Sequence, residues 1–263
     1  MSCGIPSLKT VEGPVKKTIS FICILSITLI SPTLSLAADK WDFIIAPYAL
    51  LPSIDGDASV GRVEGVDIDV GADDIINNLE LGAMIQLEAH HESGYGMVLA
   101  YNFMDLSGEA TAPGELGKLK AGIYQGILEG YGVYRVDSAR GPLEFYGGVR
   151  WWDMDVELKV NGIKVVENTP DWIDPVVGVR WIPQISENWH VILKGDIGGF
   201  GVASDFTWNL QGGFVWDATD YLSLVFQYRA LSVDYSTGKV GDPNRFAYDT
   251  ITHGPLFGLA FRL

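Results

Sequence analysis

From residue 41 onward the apolar positions recur every second residue. Tyr95, Met97, Leu99, Tyr101 and Phe103 fall on one face of their segment, against Gly96, Ala100 and Asn102 on the other. Phe206, Trp208, Leu210, Phe214 and Trp216 oppose Thr207, Asn209, Gln211 and Gly213, and Leu222, Leu224, Phe226 and Tyr228 oppose Ser223, Gln227 and Arg229. The last ten residues repeat the pattern: Pro255, Phe257, Leu259, Phe261 and Leu263 lie on one side, and Gly254, Leu256, Gly258, Ala260 and Arg262 on the other. A period of two is that of a strand with unlike faces. A soluble ligand-holding barrel keeps its apolar face inside. Here the greasier face ends in Trp and Tyr, as strands in lipid do at the two interfaces. The pattern predicts an all-β, antiparallel transmembrane β-barrel.

Ten such segments can be drawn, at about 41–51, 81–91, 95–106, 120–136, 143–158, 172–182, 189–202, 206–216, 221–233 and 250–263. Ten strands is therefore the expected count, within bounds of eight and twelve. No linker or change of composition divides them, so residues 39–263 read as one domain. The connectors alternate: 92–94, 137–141, 183–188 and 217–220 are short, while 52–80, 107–119, 159–171 and 234–249 are long, with 203–205 as the exception. Bacterial barrels have short periplasmic turns and longer outside loops, so an even count puts both termini in the periplasm. Within the first outer loop, 52–80, Val60 to Val70 resembles a hairpin, and Asp73 to Leu79 reads as a helical turn capped by Asp73 or Asp74. That segment would either take the barrel to twelve strands or plug its mouth.

Ahead of the strands, Lys16 and Lys17 precede an apolar run from Thr18 to Ile30, followed by Pro32 and the small residues of Ser35-Leu36-Ala37-Ala38. This is the order of a secretory signal peptide, residues 1–38. The run falls short of the ~20 apolar residues of a spanning helix. Cys3 and Cys23, the two cysteines, fall inside it, so the mature chain is expected to lack disulfides, thiolate metal sites and cysteine nucleophiles. The residues before Cys23 are not those of a lipidation site.

The chain carries 18 Lys and Arg against 33 Asp and Glu, a formal charge of −15. Losing Lys9, Lys16, Lys17 and Glu12 with the signal leaves 15 against 32, or −17. A nucleic-acid partner is disfavoured, because that binding depends on neutralising phosphates with Lys and Arg. The acid is concentrated: Asp55, Asp57, Glu64, Asp67, Asp69, Asp73, Asp74 and Glu80 share their stretch with one base, Arg62. Strand parity instead places Gln86, Glu88, Gln125, Glu129, Arg135, Glu144, Arg150, Asp174, Arg180, Lys194, Asp196, Arg229 and Arg262 inside the barrel. Five acids and six bases nearly cancel there. A barrel of this size has an interior that side chains can fill, and unpaired charge in so narrow a space is costly. An ion-paired plug outweighs a charge-lined pore on that argument.

Several stretches carry a resemblance: Trp41-Asp42-Phe43 through Pro47-Tyr48, Asp171-Trp172-Ile173-Asp174-Pro175 with Gly178 and Arg180, Gly195 to Gly201, and Gly254-Pro255 with Gly258-Leu259. They resemble a proteobacterial family of small outer-membrane β-barrel proteins, over essentially all of residues 39–263. By architecture alone the chain is also similar to OmpA-like and OmpW-like small barrels. The resemblance implies a fold and a location in the outer membrane, and it implies no activity or site residues.

Catalytic chemistry needs convergent groups, and the pattern supplies none. His90, His91, His190 and His253 lack the neighbourhood of a barrel lipid hydrolase, with Thr252-His253-Gly254 the nearest approach. Asp73-Asp74, and Asp249 with His253, sit at the level of an omptin-like protease site without that spacing. The expectation is therefore a protein that is not an enzyme and holds no resident cofactor. Asp67, Asp69, Asp73 and Asp74 are candidates for loosely bound Ca²⁺ or Mg²⁺ through oxygen ligands, although they lack a Ca²⁺-loop motif and a solvated strand face accounts for them. The glycines of 195–201 open no helix, so a bend or close strand packing explains them better than a phosphate loop. The leading expectation is a monomeric barrel with a structural or interaction role through acidic outer loops. Its partners would be outer-membrane lipid and lipopolysaccharide, and the barrel-assembly machinery would engage the C-terminal strand. A narrow pore for small solutes is the alternative, and a barrel hydrolase ranks last.

Overall fold

A computed structural model describes residues 40–61, 63–71, 79–111 and 118–263. The strands are β1 (Trp41–Leu50), β2 (Ser53–Val60), β3 (Val63–Val70), β4 (Leu79–His91), β5 (Tyr95–Thr111), β6 (Lys118–Val136), β7 (Leu143–Val160), β8 (Ile163–Asn168), β9 (Asp171–Trp181), β10 (Gln184–Ser186), β11 (Trp189–Gly198), β12 (Phe206–Asp217), β13 (Leu222–Thr237) and β14 (Phe246–Arg262). Ten of them form the staves, each hydrogen-bonded to the next in the order β1, β4, β5, β6, β7, β9, β11, β12, β13, β14. Pairing of β14 with β1, from Ile44↔Arg262 to Leu50↔Leu256, closes the cylinder. All neighbouring staves are antiparallel, as hairpin connections require.

The outer face is apolar. Phe43, Ile45, Leu87, Leu99, Val149, Val177, Leu193, Leu210, Phe226 and Leu259 all remain exposed on it. Aromatic pairs mark its two edges: Tyr95 with Tyr134 and Trp189 with Trp216 beside the short turns, and Tyr101, Phe103 and Tyr124 at the other end. A band of aliphatic residues between two aromatic girdles is a surface for lipid, and the closed ladder pairs the backbone groups within it, save where β1 and β4 part beyond Tyr48↔Met84. Among the described residues no helix is long and apolar enough to cross a membrane.

Above the far girdle the strands continue as a tall wall, which changes the reading of the long connectors. The β5–β6 ladder runs to Thr111↔Lys118 and the β13–β14 ladder to Thr237↔Phe246. Much of the expected 52–80 loop is the β2–β3 hairpin, which pairs with the upper half of β14 from His253↔Ser53 to Phe246↔Val60. β1 and β2 thus act as one stave interrupted at Leu51-Pro52, where proline has no N–H to give the ladder. The hairpin turns at Gly61, so its two arms are longer than the Val60–Val70 segment read from the sequence. The expected helical turn lies outside the described residues, except for Leu79, which begins β4.

Two further connectors differ from the pattern reading. The 159–171 stretch contains β8, folded back on β7 through Asn161 (φ 51°) and Gly162 (φ 79°), the left-handed pair that a two-residue hairpin turn needs. β11 stops at Gly198, short of Val202, because Gly199 (φ 81°), Phe200 (φ 51°) and Gly201 (φ 71°) reverse the chain. The connector to β12 is therefore longer than 203–205, and it turns inward to bury Ser204.

Candidate functional site

The interior is organised in three levels. Nearest the short turns, Arg180 on β9 donates from Nη1 and Nη2 to Glu88 on β4, at 2.8 and 2.6 Å, and from Nε to Glu144 on β7 at 2.6 Å. Arg135 Nε donates to the other oxygen of Glu144 at 2.8 Å, Gln86 Nε2 donates to Glu88 at 2.6 Å, and His90 Nε2 lies 2.7 Å from Glu88. β4 and β9 stand four staves apart in the ring of ten, so the Arg180–Glu88 fork spans the lumen. A two-bond fork between guanidinium and carboxylate fixes orientation as well as charge.

At the second level Arg150, with no exposed surface, donates to Glu129 (2.7 Å), Asp196 (2.9 Å), Thr207 (3.3 Å) and the Tyr131 hydroxyl (3.3 Å). Arg229 comes across from β13 to Asn209 at 3.0 Å and Glu129 at 3.4 Å. Asp196 also accepts from the Tyr146 hydroxyl and from Asn209 Nδ2. Lys194 Nζ lies 5.1 and 5.3 Å from the ring centres of Tyr131 and Tyr146, within the range of cation–π attraction. Strand parity delivers these groups to one another because every second residue of each stave points inward.

The third level is an aromatic cork. Asp174 accepts from the indoles of Trp152 (3.1 Å) and Trp172 (3.2 Å) and from the backbone and hydroxyl of Ser204, at 2.8 and 2.7 Å. Trp172 stacks on Trp152 and Tyr235, and Ile127, Met154, Val233 and Phe246 pack around them. Four neutral donors, and no cation, surround the Asp174 carboxylate in this set of bonds.

The residues read from the sequence as a lumen charge network are thus distributed over all three levels. Arg262 is separate, exposed at the mouth beside the short turns. Gln125 is buried on the opposite wall, with its Nε2 unpartnered. Sequence reasoning put Thr207 and Asn209 on the inner face without joining them to the network, and it missed His90, Ser204 and the inward aromatics Tyr131, Tyr146, Trp152 and Trp172 as lumen groups. Parity would have found most of them, because Trp152 follows Arg150 by two and His90 follows Glu88 by two. Ser204 carried no signal, because its position depends on the reversal after Gly198.

On the outside of the wall, Asp57, Asp249 and Asp234 stand in register on β2, β14 and β13. Burial first, then Asp249 and Asp205, push the Asp234 carboxyl above its ordinary range. Of the cation candidates, Asp67 and Asp69 lie on β3 opposite Asp57 and Asp55, while Asp73 and Asp74 fall outside the described residues. Among the described residues no group of three or more His, Cys, Asp or Glu is arranged to hold a metal ion. His253 is bound by Asp55 at 2.8 Å and by the Tyr228 hydroxyl at 2.6 Å, so its partner is Asp55 where the sequence offered Asp249.

No protein-family model and no curated protein sequence matches the chain. Among solved structures it is similar to the translocator domain of the autotransporter NalP from Neisseria meningitidis, with 9% identity, 85% of this chain and 88% of that one covered, and a TM-score of 0.49. It is similar to the outer membrane protease OmpT from Escherichia coli, with 9% identity, 88% and 99% covered, and a TM-score of 0.47. It is also similar to Ail, the attachment invasion locus protein of Yersinia pestis, with 7% identity, 85% and 99% covered, and a TM-score of 0.38.

Proposed function

We propose that this chain is a monomeric outer-membrane barrel with a closed lumen, both termini in the periplasm, and a structural or interaction role carried by the wall above its apolar band. The observation that carries this reading is the double crossing of the lumen by Arg180–Glu88 and Arg229–Glu129, with the Trp152–Trp172 cork above them. A solute path would need those pairs broken. Separating such buried pairs leaves each charge without its partner in a narrow interior, which is costly. This argues against the narrow pore in which Arg150, Arg180, Lys194 and Arg229 would set selectivity. A hydrolytic role is disfavoured because the hydroxyl beside His253 is that of Tyr228 and, among the described residues, no serine or threonine is hydrogen-bonded to this histidine, whereas acyl transfer needs a nucleophile held against its base.

The partner that this chemistry favours is lipopolysaccharide. Like charges directly opposite on neighbouring strands repel, and Mg²⁺ or Ca²⁺ bridging single carboxylates of the Asp57, Asp249 and Asp234 row to lipid phosphates would relieve that repulsion, since the three are not arranged to hold an ion by themselves. Barrel-assembly machinery would engage β14, the closing stave.

The test is planar-bilayer conductance of protein whose folding has been verified by heat-modifiable gel mobility. Folded protein is expected to give no steady channel. A reproducible conductance that changes on Arg180→Met would replace this reading with the pore.

A further inference from the structure

Among the described residues the ring has a break between β1 and β4. β1 and β4 pair from Trp41↔His91 up to Tyr48↔Met84 and no further. Above that, β1 stays with β14 as far as Leu50↔Leu256, and β4 stays with β5 through Ala83↔Phe103, Gly82↔Met104 and Leu81↔Asp105. The two staves part while each holds its other neighbour. Tyr48 packs over Gly258, where any side chain would strike its ring, and so marks the floor of the gap.

A cavity of about 350 Å³ fills this gap. Its composition distinguishes it from the 240 Å³ cavity at the mouth beside the short turns, whose strand residues face inward only. The gap cavity is walled by consecutive residues, Pro47 to Pro52 on one side and Gly82 to Met84 on the other, so both faces of the barrel wall contribute. Ala49 and Ala83 belong to the lipid-facing set and Leu50 and Met84 to the lumen-facing set. Among the described residues the lining therefore spans both faces of the wall. Small residues keep it open: Ala49 and Ala83 stand where other staves carry Phe, Leu or Val. On the lumen side it meets Asn102, whose Nδ2 is buried without a hydrogen-bond partner, and Gln125, whose Nε2 is turned toward the Tyr248 hydroxyl without a bond of good geometry. A buried donor left unpaired is costly, and native structures rarely tolerate one without a reason.

We infer that the gap between β1 and β4 is a lateral binding site, open to the bilayer, for an acyl chain carrying an ester or acid carbonyl. The chain enters between Ala49 and Ala83 from the lipid, where such molecules are concentrated. Its apolar length lies against Leu50, Met84 and Met104. Its carbonyl oxygen accepts from the amides of Gln125 and Asn102. Volume and lining suit a medium-length chain, since ligand sites of this kind begin at roughly 300 Å³. Arg229 also borders the cavity, but its charge is committed to Glu129, so recognition falls to the neutral amides.

Methionine placement supplies the test. Met84 and Met104 line the cavity, and Met97 faces lipid elsewhere on the barrel. With methionine methyls ¹³C-labelled in folded protein in nanodiscs, methyl octanoate should shift Met84 and Met104 saturably, while Met97 moves only in proportion to the ester added. Ala83→Trp should abolish the saturable shift. If that variant does not fold, Gly82→Leu, which narrows the gap from the lumen side, serves the same purpose. Gln125→Leu with Asn102→Leu should weaken methyl octanoate about 2- to 10-fold per hydrogen bond lost and leave octane unchanged. Met84 and Met104 tracking Met97 would overturn the site. Octane binding as well as the ester, with no effect of the amide substitutions, would overturn the assignment of a carbonyl-bearing ligand.

Discussion

The two halves of the barrel settle their buried polar groups differently. On β7, β9, β11 and β12 the inward groups Glu144, Arg150, Asp174, Arg180, Asp196, Thr207 and Asn209 are all hydrogen-bonded. The unpartnered buried side-chain atoms among the described residues are His90 Nδ1, Asn102 Nδ2, Gln125 Nε2, Gln227 Oε1 and Thr250 Oγ1. They sit on β4, β5, β6, β13 and β14, the arc centred on β1, where the ladder breaks. The closed half is finished as a protein core is. On the other half Glu88, Glu129 and Arg229 are paired as well, and two of the unpartnered atoms, those of Asn102 and Gln125, border the gap, whereas His90 lies toward the short turns and Gln227 lines the cavity at that mouth.

The largest effect should come from Arg150→Met, which leaves Glu129 and Asp196 buried with their main counter-charge gone. A loss of about 3–5 kcal/mol is expected, read as a lower urea midpoint for the heat-modifiable folded form. Core truncation should follow. Met154→Ala on the closed side removes a fully buried side chain and should cost roughly 2–5 kcal/mol, whereas Leu50→Ala at the rim of the gap should cost well under half of that in the same assay. The sharpest contrast comes from two asparagines. Asn209→Leu strands Arg229 Nε and takes from one Asp196 oxygen a donor it shares with Tyr146, for a loss of about 1–3 kcal/mol. Asn102→Leu removes an amide with an unspent donor and should be nearly neutral. Equal costs for the two would end the distinction between the halves.

Much of this was legible beforehand. The period of two located all ten staves and assigned their faces, because burial inside a barrel and exposure to lipid impose opposite chemistry on alternate residues. It also brought the charged network residues inward, with Arg262 left at the mouth. Which acid meets which base was not legible, because the Arg180–Glu88 fork depends on stave order and shear, which a one-dimensional pattern does not carry. The tall wall was missed for a different reason. Its strands stand above the lipid, and segments such as Ser53–Val60 are too polar to announce a membrane strand. Asn161-Gly162 was a hairpin signal in plain sight, obscured by treating long connectors as loops. The gap was not legible, because it is the absence of a pairing between residues whose own patterns are regular.

The most direct test of the difference between the halves is thiol accessibility in the folded, membrane-inserted protein with Cys3 and Cys23 replaced or removed. Asn102→Cys and Asn209→Cys are each exposed to N-ethylmaleimide, which partitions into the bilayer. The account predicts rapid labelling at 102 and protection at 209, with the reaction at 102 suppressed by Ala83→Trp. Equal labelling at both positions, or protection at both, would contradict it.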